Sequence, residues 1–365
     1  MVDYNSQIKE LEKQISETKY NKSTQLALGL VKAKIAKLKD KEESRAAASG
    51  GAGTGFVVSK SGDATVILLG YPSVGKSSIL NALTDAHSEV AAYAFTTLSV
   101  VPGVLKFMDA SIQILDVPGI VSGAASGRGR GREVLSAMHS AELALIVLDA
   151  RHPECYNSIM QEVKDAKIRI NERKPDVKIK KMAKGGIDFA TTVKLTKLDQ
   201  KTIEEILREF RLNNCQIVVR EDITADQLID VIESNKKYIS GVVIVNKSDL
   251  LTEQEMENLK KKYPVDIFIS TFTKWNLEEL KKVVYKKLNF MRVYTKEQGK
   301  VADLGEPLIM FGGSTIEEFC RKVHKDFIAK FKYARVWGKS AKFPGQKLSL
   351  PHVLVDKDVV EVHIR

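Results

Sequence analysis

The chain is poor in cysteine and lacks long hydrophobic runs. Its 365 residues include three cysteines, Cys155, Cys215 and Cys320, which are widely separated. An odd number of scattered cysteines argues against a disulfide framework or a zinc site and fits reduced cytosolic thiols. No apolar run approaches the roughly 20 residues that a membrane-spanning helix needs, and residues 1–5 contain no apolar signal core. We therefore expect a cytoplasmic protein with no membrane partner.

Acidic residues are outnumbered by basic ones. There are 57 Lys and Arg against 46 Asp and Glu, which gives a net charge of +11 and a pI near 9.3. Excess basic charge drives sequence-independent binding to polyanions, so RNA is the favoured partner. The alternative is a lysine-rich surface that is merely solvated. The hydrophobic share of 44% is ordinary, and the length exceeds one compact core, so two or three domains are expected.

A phosphate-binding pattern directly follows the buried-strand run 66–69. It has the spacing G-x-x-x-x-G-K-[ST], in which backbone N–H groups curl around a phosphate chain at the start of a helix. The lysine of this pattern would reach the β- and γ-phosphates, and the serine after it would ligate Mg²⁺. The residues predicted to form this loop are Gly70, Tyr71, Pro72, Ser73, Val74, Gly75, Lys76, Ser77 and Ser78.

A second motif predicts which base is read. Asn246, Lys247 and Asp249 follow the apolar run 242–245 in the order N-K-x-D. The Asp249 carboxylate can accept two hydrogen bonds from guanine, whereas adenine offers neither donor and would leave the carboxylate unpaired. Asn246 would tie the base site to the phosphate loop, and the Lys247 stem would lie over the purine. A looser contribution to base recognition is predicted for Ser270, Thr271 and Phe272.

A third motif lies between these two and concerns the metal and the γ-phosphate. Asp116 begins a D-x-P-G sequence after a strand-like run and would hold Mg²⁺ through water, while the Gly119 N–H would sense the γ-phosphate. Thr97, in preference to Thr96, is the candidate switch threonine and third metal ligand. Ile120 stands where many GTPases carry a water-positioning glutamine, so we expect slow intrinsic hydrolysis. Together with the phosphate-loop lysine, Thr97 and Gly119 are the predicted catalytic residues.

Two other functions stay open at this stage. A metabolic P-loop ATPase or kinase would have to bind adenine despite Asp249. An RNA-binding or assembly protein in which the nucleotide is mainly structural stays open because Ile120 cannot position the attacking water. Competition between GTP and ATP separates the first alternative from a GTPase, and single-turnover hydrolysis separates the second.

These motifs together resemble the developmentally regulated GTP-binding proteins, in the Obg-like branch of translation-factor GTPases. The resemblance extends to the N-terminal segment 21–38, the switch-like residues 93–98 and the C-terminal stretch opened by Arg292, and covers essentially the whole chain. It implies a GTP-hydrolysing switch with Mg²⁺, stimulated by K⁺, acting with ribosomes or structured RNA and with a regulatory protein partner. The phosphate-loop asparagine tied to K⁺ in related GTPases is Ser73 here. We expect a monomer.

The predicted fold is α/β, with four parts. An N-terminal helical hairpin occupies 1–45, and a P-loop GTPase domain occupies 56–165 and 240–290. A small α+β domain is inserted at 166–239, because roughly seventy residues there interrupt the doubly wound pattern. A β-grasp-like TGS domain, suggested by the family resemblance, occupies 291–365.

Three local expectations accompany this division. The second N-terminal helix is predicted to end near Lys39, with an Ala/Gly/Ser-rich connector over 44–55. A single helix is predicted over 159–170. Ser314 is predicted to cap the helix that follows it.

Two basic segments are candidate RNA contacts. Residues 330–347 carry six basic and no acidic side chains, and residues 164–199 carry a net charge of +6. Aromatic residues interleaved with cations suit looped RNA, through phosphate pairing and base stacking. The alternatives are core packing of the aromatics and a solvated lysine-rich loop. The interleaved aromatics are Phe331, Tyr333, Trp337 and Phe343.

Overall fold

The computed structural model describes residues 4–19, 21, 24–49, 62–84, 101–116, 138–324 and 326–364. The chain divides into two compact units. One combines Met1–Gly55 with Glu172–Tyr238, and the other combines Phe56–Asn171 with Ile239–Arg365.

Helices and strands are interspersed along the described residues. The helices of the described residues are α1 (Tyr4–Glu17), α2 (Gln25–Ser49), α3 (Lys76–Leu83), α4 (Cys155–Asp165), α5 (Gln200–Glu209), α6 (Ala225–Glu233), α7 (Glu253–Lys262), α8 (Leu277–Lys287), α9 (Ile316–Val323) and α10 (Asp326–Ala329). The first ten strands are β1 (Ala64–Leu69), β2 (Val101–Phe107), β3 (Ala110–Asp116), β4 (Leu143–Asp149), β5 (Ile168–Ile170), β6 (Val177–Lys181), β7 (Ile187–Thr191), β8 (Cys215–Val219), β9 (Lys237–Asn246) and β10 (Ile267–Phe268). The last five are β11 (Phe290–Thr295), β12 (Leu308–Phe311), β13 (Phe331–Trp337), β14 (Gln346–Leu348) and β15 (Asp358–Ile364).

The larger unit is built on a mostly parallel sheet. Its strand order is β10-β9-β4-β1-β3-β2, and only the β2–β3 hairpin is antiparallel among these neighbours. Strands β1 and β4 are almost continuous runs of Val, Ile, Leu and Ala because both of their faces are buried, as in parallel sheets covered by helices. The carboxyl ends of parallel strands meet at one edge of such a sheet, which is where ligands bind in open α/β folds. The phosphate loop, Asp116 and the N-K-x-D residues lie at this edge.

A second sheet of the same unit forms the C-terminal part of the chain. Its order is β12-β11-β15-β13-β14, and α9 packs on it around the fully buried Phe319. Ile309 of β12 belongs to the apolar cluster of the first sheet, and Lys322 pairs with Asp63 at 2.8 Å. The N-cap of α9 is Thr315, whose side chain forms a capping box with Glu318, so the expectation that Ser314 caps the helix is wrong by one residue.

The smaller unit joins the N-terminal helices to the inserted segment. The segment forms a three-stranded sheet, β6-β8-β7, covered by α5 and α6, and α2 packs against both of these helices. Ala33 of α2 is fully buried in the insert's apolar core. Lys32 pairs with Asp226 at 2.6 Å, and Lys37 pairs with Glu209 at 2.9 Å. These regions were expected to be two domains, whereas the structure gives them one shared core, because a two-helix hairpin alone cannot bury its apolar face.

Two local expectations about helix ends are wrong. Helix α4 ends at Asp165, and Lys167 adopts a left-handed φ of 61°, so 168–170 form strand β5 beside β9 instead of continuing the helix. The unit boundary accordingly falls after Asn171, whereas the insert was expected to begin at 166. Helix α2 continues to Ser49 through a run of alanines, which have the highest helix propensity, where a connector was expected from residue 44.

Candidate nucleotide-binding site

The loop between β1 and α3 has the shape that phosphate binding requires. Strand β1 is buried along its whole length and delivers the chain to Gly70 at the carboxyl edge of the sheet. Gly75 is the N-cap of α3 and has a φ of 96°, a left-handed conformation that favours glycine. The Lys76 ammonium folds back into the loop and donates to the carbonyl oxygens of Gly70 and Tyr71, both at 2.9 Å. The loop is therefore a closed turn with its cation held inside it.

The surroundings of this turn change the pKa of Lys76. Burial lowers the pKa of the Lys76 ammonium, and the nearby charge of Asp116 opposes that effect without cancelling it. Because water screens its charge less, a partly buried ammonium attracts an incoming anion more strongly than an exposed one does.

The predicted metal ligands Ser77 and Asp116 are brought together. The Ser77 hydroxyl donates to Asp116 Oδ2 at 2.7 Å, across 39 residues of sequence. Asp116 Oδ1 is buried and has no hydrogen-bond partner within the described ranges. An oxygen pair with one unsatisfied carboxylate oxygen fits a hard divalent cation such as Mg²⁺ and its water shell. The other predicted ligand, Thr97, and the γ-phosphate sensor Gly119 lie outside the described residues.

Asn246 links the base-reading strand to the phosphate loop. Its side chain is fully buried, and its Nδ2 donates to the Val74 carbonyl at 2.9 Å. Its Oδ1 accepts from the Thr271 backbone N–H at 3.2 Å. A Cβ added at Gly75 would lie 2.3 Å from Asn246 Nδ2, so the two chain segments are in direct contact. Asn246 therefore joins three loops that are far apart in the sequence.

The base-reading carboxylate is exposed at the same edge. Asp249 follows Asn246 in the short 3-10 turn 248–250, and no hydrogen bond or ion pair to it is found in the described part of the chain. Lys247, at a left-handed φ of 60°, donates to the Ser73 carbonyl at 2.9 Å and to Asp149 Oδ2 at 2.7 Å. An accessible carboxylate beside a fixed lysine stem is the arrangement expected for guanine recognition.

The loop after β10 completes the rim of the site. The buried Ser270 hydroxyl accepts from the Thr273 backbone N–H at 3.1 Å, so its side chain shapes the turn. Thr271 touches Asn246, as described above. Phe272 is 90% exposed. Ser270 and Thr271 thus belong to the structural frame of the site, and Phe272 projects from its rim. The remaining predicted loop residues, Pro72 and Ser78, are exposed.

Asp149 is a site residue that sequence reasoning did not single out. It lies at the carboxyl end of β4, and strand register pairs it with Asn246. Burial alone raises the pKa of Asp149, but hydrogen bonds from Lys247 and the Arg151 amide, together with the lysine's charge, outweigh it, so the net pKa is lowered. The sequence does show that Asp149 ends a buried strand. It does not show that this strand lies beside the strand that carries the N-K-x-D motif.

Three family models cover most of the chain. The 50S ribosome-binding GTPase model matches residues 65–181, and the model of the C-terminal region of that domain matches residues 184–290. The TGS domain model matches residues 291–364.

Curated relatives match over nearly the full length. A GTP-binding protein of Methanocaldococcus jannaschii is 48% identical, over 98% of this chain and 92% of its own length. Developmentally-regulated G-protein 2 of Arabidopsis thaliana is 43% identical, over 97% and 90% respectively. Developmentally-regulated GTP-binding protein 1 of Xenopus laevis is 41% identical, over 98% of each chain. The chain belongs to the developmentally regulated GTP-binding protein family.

Membership of this family confirms the resemblance and the predicted fold class. This chain is therefore a GTP-binding GTPase with a P-loop α/β domain, N-terminal helices and a C-terminal TGS domain. Its phosphate loop, the residue pair Ser77 and Asp116, and the N-K-x-D motif converge at one sheet edge. Within the ranges that the structure describes, no helix has the length and apolarity needed to cross a membrane.

Proposed function

We propose that this protein is a Mg²⁺-dependent GTP-hydrolysing switch that acts with ribosomes or structured RNA in translation. The observation that carries the proposal is the convergence of three motifs at one edge of the sheet. Asn246 ties the base-reading strand to the phosphate loop, and Ser77 contacts Asp116. These contacts bring the residues proposed to bind the base, the phosphates and the metal ion close together.

The chain's own groups account for the chemistry of hydrolysis. Water attacks the γ-phosphorus, and the bond from that phosphorus to the β–γ bridging oxygen breaks, leaving GDP and phosphate. Lys76 and the loop N–H groups stabilise the negative charge that develops on the phosphate oxygens. Ser77 and Asp116, with Thr97, would hold Mg²⁺, which when bound supplies further positive charge. Thr97 and Gly119 would contact the γ-phosphate, so that the surface offered to a partner would differ between the GTP and GDP states.

The charge of residues 330–347 supports an RNA partner. None of the six basic side chains in this segment lies within salt-bridge distance of a carboxylate in the residues described, and five of them are exposed. Lysines elsewhere in the same unit do pair, for example Lys281 with Glu278 and Lys282 with Glu279. Uncompensated cations are what an RNA phosphate backbone neutralises on binding. The six are Lys330, Lys332, Arg335, Lys339, Lys342 and Lys347.

The aromatic residues of this segment do not form a base-stacking platform. His363 stacks on Tyr333 at 4.4 Å, and the Lys347 ammonium lies 4.7 Å from the centroid of the same ring. The Trp337 ring has the Lys296 ammonium 4.9 Å from its centroid. Phe343, 60% exposed, is the aromatic residue of the segment left open. We therefore assign the contact to phosphates, with the aromatics positioning the cations.

Sedimentation with ribosomes tests the switch. The full chain is loaded with GDP or with a non-hydrolysable GTP analogue at fixed moderate salt. Retention on ribosomes in the triphosphate state alone is the expected result. Equal, salt-sensitive retention in both states would instead give the nucleotide a structural role, and no retention would refute the ribosomal partner.

A charge-matched comparison tests the RNA surface. Replacing Lys339, Lys342 and Lys347 together by Gln should weaken binding to ribosomal RNA. The slope of log affinity against log salt concentration should become shallower by about 2 to 3, because each phosphate that is no longer neutralised contributes roughly 0.7–0.9. Replacing the ion-paired lysines Lys281 and Lys282, with the similarly paired Lys261, removes the same charge. Equal losses from both triple variants would show a general charge effect and contradict this surface.

Two further parts of the proposal come from the family. Potassium is included as an activating ion, and single-turnover hydrolysis in potassium against sodium chloride tests it, with equal rates excluding it. A cytoplasmic location follows from the proposed ribosomal partner, and cell fractionation checks it.

A further inference from the structure

Asp149 makes a contact that none of the GTPase motifs assigns. Its Oδ2 accepts a hydrogen bond from the Lys247 ammonium at 2.7 Å, and its Oδ1 accepts one from the Arg151 backbone N–H at 2.9 Å. The Asp149 side chain is 13% exposed, against 37% for Lys247. We propose that Asp149 is a positioning residue for guanine-nucleotide binding and acts through Lys247.

The backbone fixes the partners of this contact. Strands β4 and β9 are parallel neighbours, and their register sets Asp149 opposite Asn246, one residue before Lys247. Lys247 then leaves the strand at a left-handed φ of 60°, which turns its side chain back toward the sheet edge. The carboxylate is held by its second hydrogen bond to Arg151, so it does not follow the lysine if the lysine moves. The strand register and the turn after β9 therefore place the Asp149 carboxylate beside the Lys247 ammonium.

The ammonium is held from two sides. Besides Asp149, it donates to the Ser73 carbonyl at 2.9 Å, which belongs to the phosphate loop. A free lysine side chain samples many rotamers, and ordering it on binding costs affinity. With its end fixed before the nucleotide arrives, the Lys247 side chain needs little further ordering when the base binds. Asp149 contributes to binding in this way without touching the nucleotide itself.

A purely structural role for Asp149 makes a different prediction. The hydrogen bond from the Arg151 amide would by itself hold the turn after β4, and the Asp149 carbonyl also accepts from the His152 N–H at 3.0 Å. Asp149→Asn retains a carbonyl oxygen for the Arg151 amide and loses the negative charge that faces Lys247. This substitution therefore separates turn formation from lysine positioning.

The first measurement is the affinity of the full-length protein for a fluorescent GDP. For Asp149→Asn we expect the dissociation constant to rise about tenfold, since a hydrogen bond between charged groups is lost. The increase should appear mainly as faster dissociation, and the KM for GTP should change more than kcat. Glu154→Gln is the matched control, because it removes a carboxylate paired with a neighbouring side chain, His152, outside the site. The control should stay within about twofold of the wild type.

A double-mutant cycle with Lys247 tests the route of action. In a Lys247→Ala background, Asp149→Asn should change the GDP dissociation constant by less than about twofold, because the group it positions is gone. A full tenfold effect in that background would overturn the proposal, and so would an unchanged dissociation constant in the single variant. If the Asn variant does not fold, Asp149→Ser, which also leaves an acceptor for the Arg151 amide, gives the same comparison. The inference rests on the proposed guanine site, and failure of the wild type to bind GDP would refute that site instead.

Discussion

Replacing Gly75 by alanine should damage both the stability of the nucleotide site and its affinity for GDP. Gly75 has a φ of 96°, and an added Cβ would stand 2.3 Å from Asn246 Nδ2. Real Cβ atoms do not approach another atom so closely, so the Asn246 side chain has to move. Because that side chain is fully buried, its movement breaks the hydrogen bonds to the Val74 carbonyl and the Thr271 amide.

The size of the effect follows from two separate terms. A left-handed backbone costs a residue with a Cβ about 1–2 kcal/mol relative to glycine. Each buried hydrogen bond that is lost costs about 1 kcal/mol more. We therefore expect Gly75→Ala to lower the free energy of unfolding by about 3–4 kcal/mol. The affinity for GDP should fall at least about tenfold, since the loop and the base-reading strand are no longer joined.

Gly313→Ala provides a matched control in the same compact unit. Gly313 has a φ of 90°, close to that of Gly75, but an added Cβ would meet nothing within 4 Å. It should therefore show the backbone cost alone, about 1–2 kcal/mol in urea unfolding, with unchanged GDP affinity. The reasoning is refuted if the two variants lose the same stability, or if Gly75→Ala binds GDP like the wild type.

Three further outcomes are expected. Asp249→Asn should lower GTP affinity at least about tenfold and favour xanthosine triphosphate in a competition assay, since it replaces an acceptor by a donor facing the base; unchanged GTP affinity would contradict the assignment. Phe319→Ala should cost about 3–5 kcal/mol of stability, because Phe319 is 1% exposed in the core of the C-terminal sheet; a loss under about 1 kcal/mol by urea unfolding would contradict it. Burial alone raises the pKa of Asp356, but hydrogen bonds from Arg292 outweigh it and place the pKa below 3.8. A carboxylate whose pKa is lowered by folding stabilises the fold at pH values above its unfolded pKa. The wild type should therefore exceed Asp356→Asn in free energy of unfolding by under about 1 kcal/mol, since the pair is partly exposed. This advantage should be constant near neutral pH. It should shrink as the pH falls below about 3.8, and an advantage that grows on acidification would show the sign to be wrong.

The motif residues were predictable because their chemistry is local. A glycine-rich turn after a buried strand, and an N-K-x-D sequence after another, each depend on fewer than about ten consecutive residues. Parallel strands then deliver both motifs to the same edge, so the meeting of Asn246 with the phosphate loop was also expected from sequence. The positive charge of residues 330–347 was equally predictable, because it follows directly from the composition of that segment.

Contacts between distant segments were not predictable in the same way. The pairing of Asp149 with Lys247 depends on β4 lying beside β9 in one register, and a register carries no local signature. Likewise, α2 packs on an insert about 170 residues further along the chain, as the bond from Lys37 to Glu209 shows. The sequence favoured base stacking on the aromatic residues of 330–347. In the fold, His363 and Lys347 instead pack against Tyr333.

The sequence by itself therefore determined the fold class, the family, the nucleotide motifs and the excess of positive charge, all of which reside in short segments or in composition. Only the tertiary structure decided which groups are already paired, which cations stay uncompensated and which side chains hold the base-reading lysine. The physical reason is that hydrogen bonds and ion pairs form between atoms within about 3–4 Å. Strand register and helix packing set those distances between segments that lie far apart along the chain.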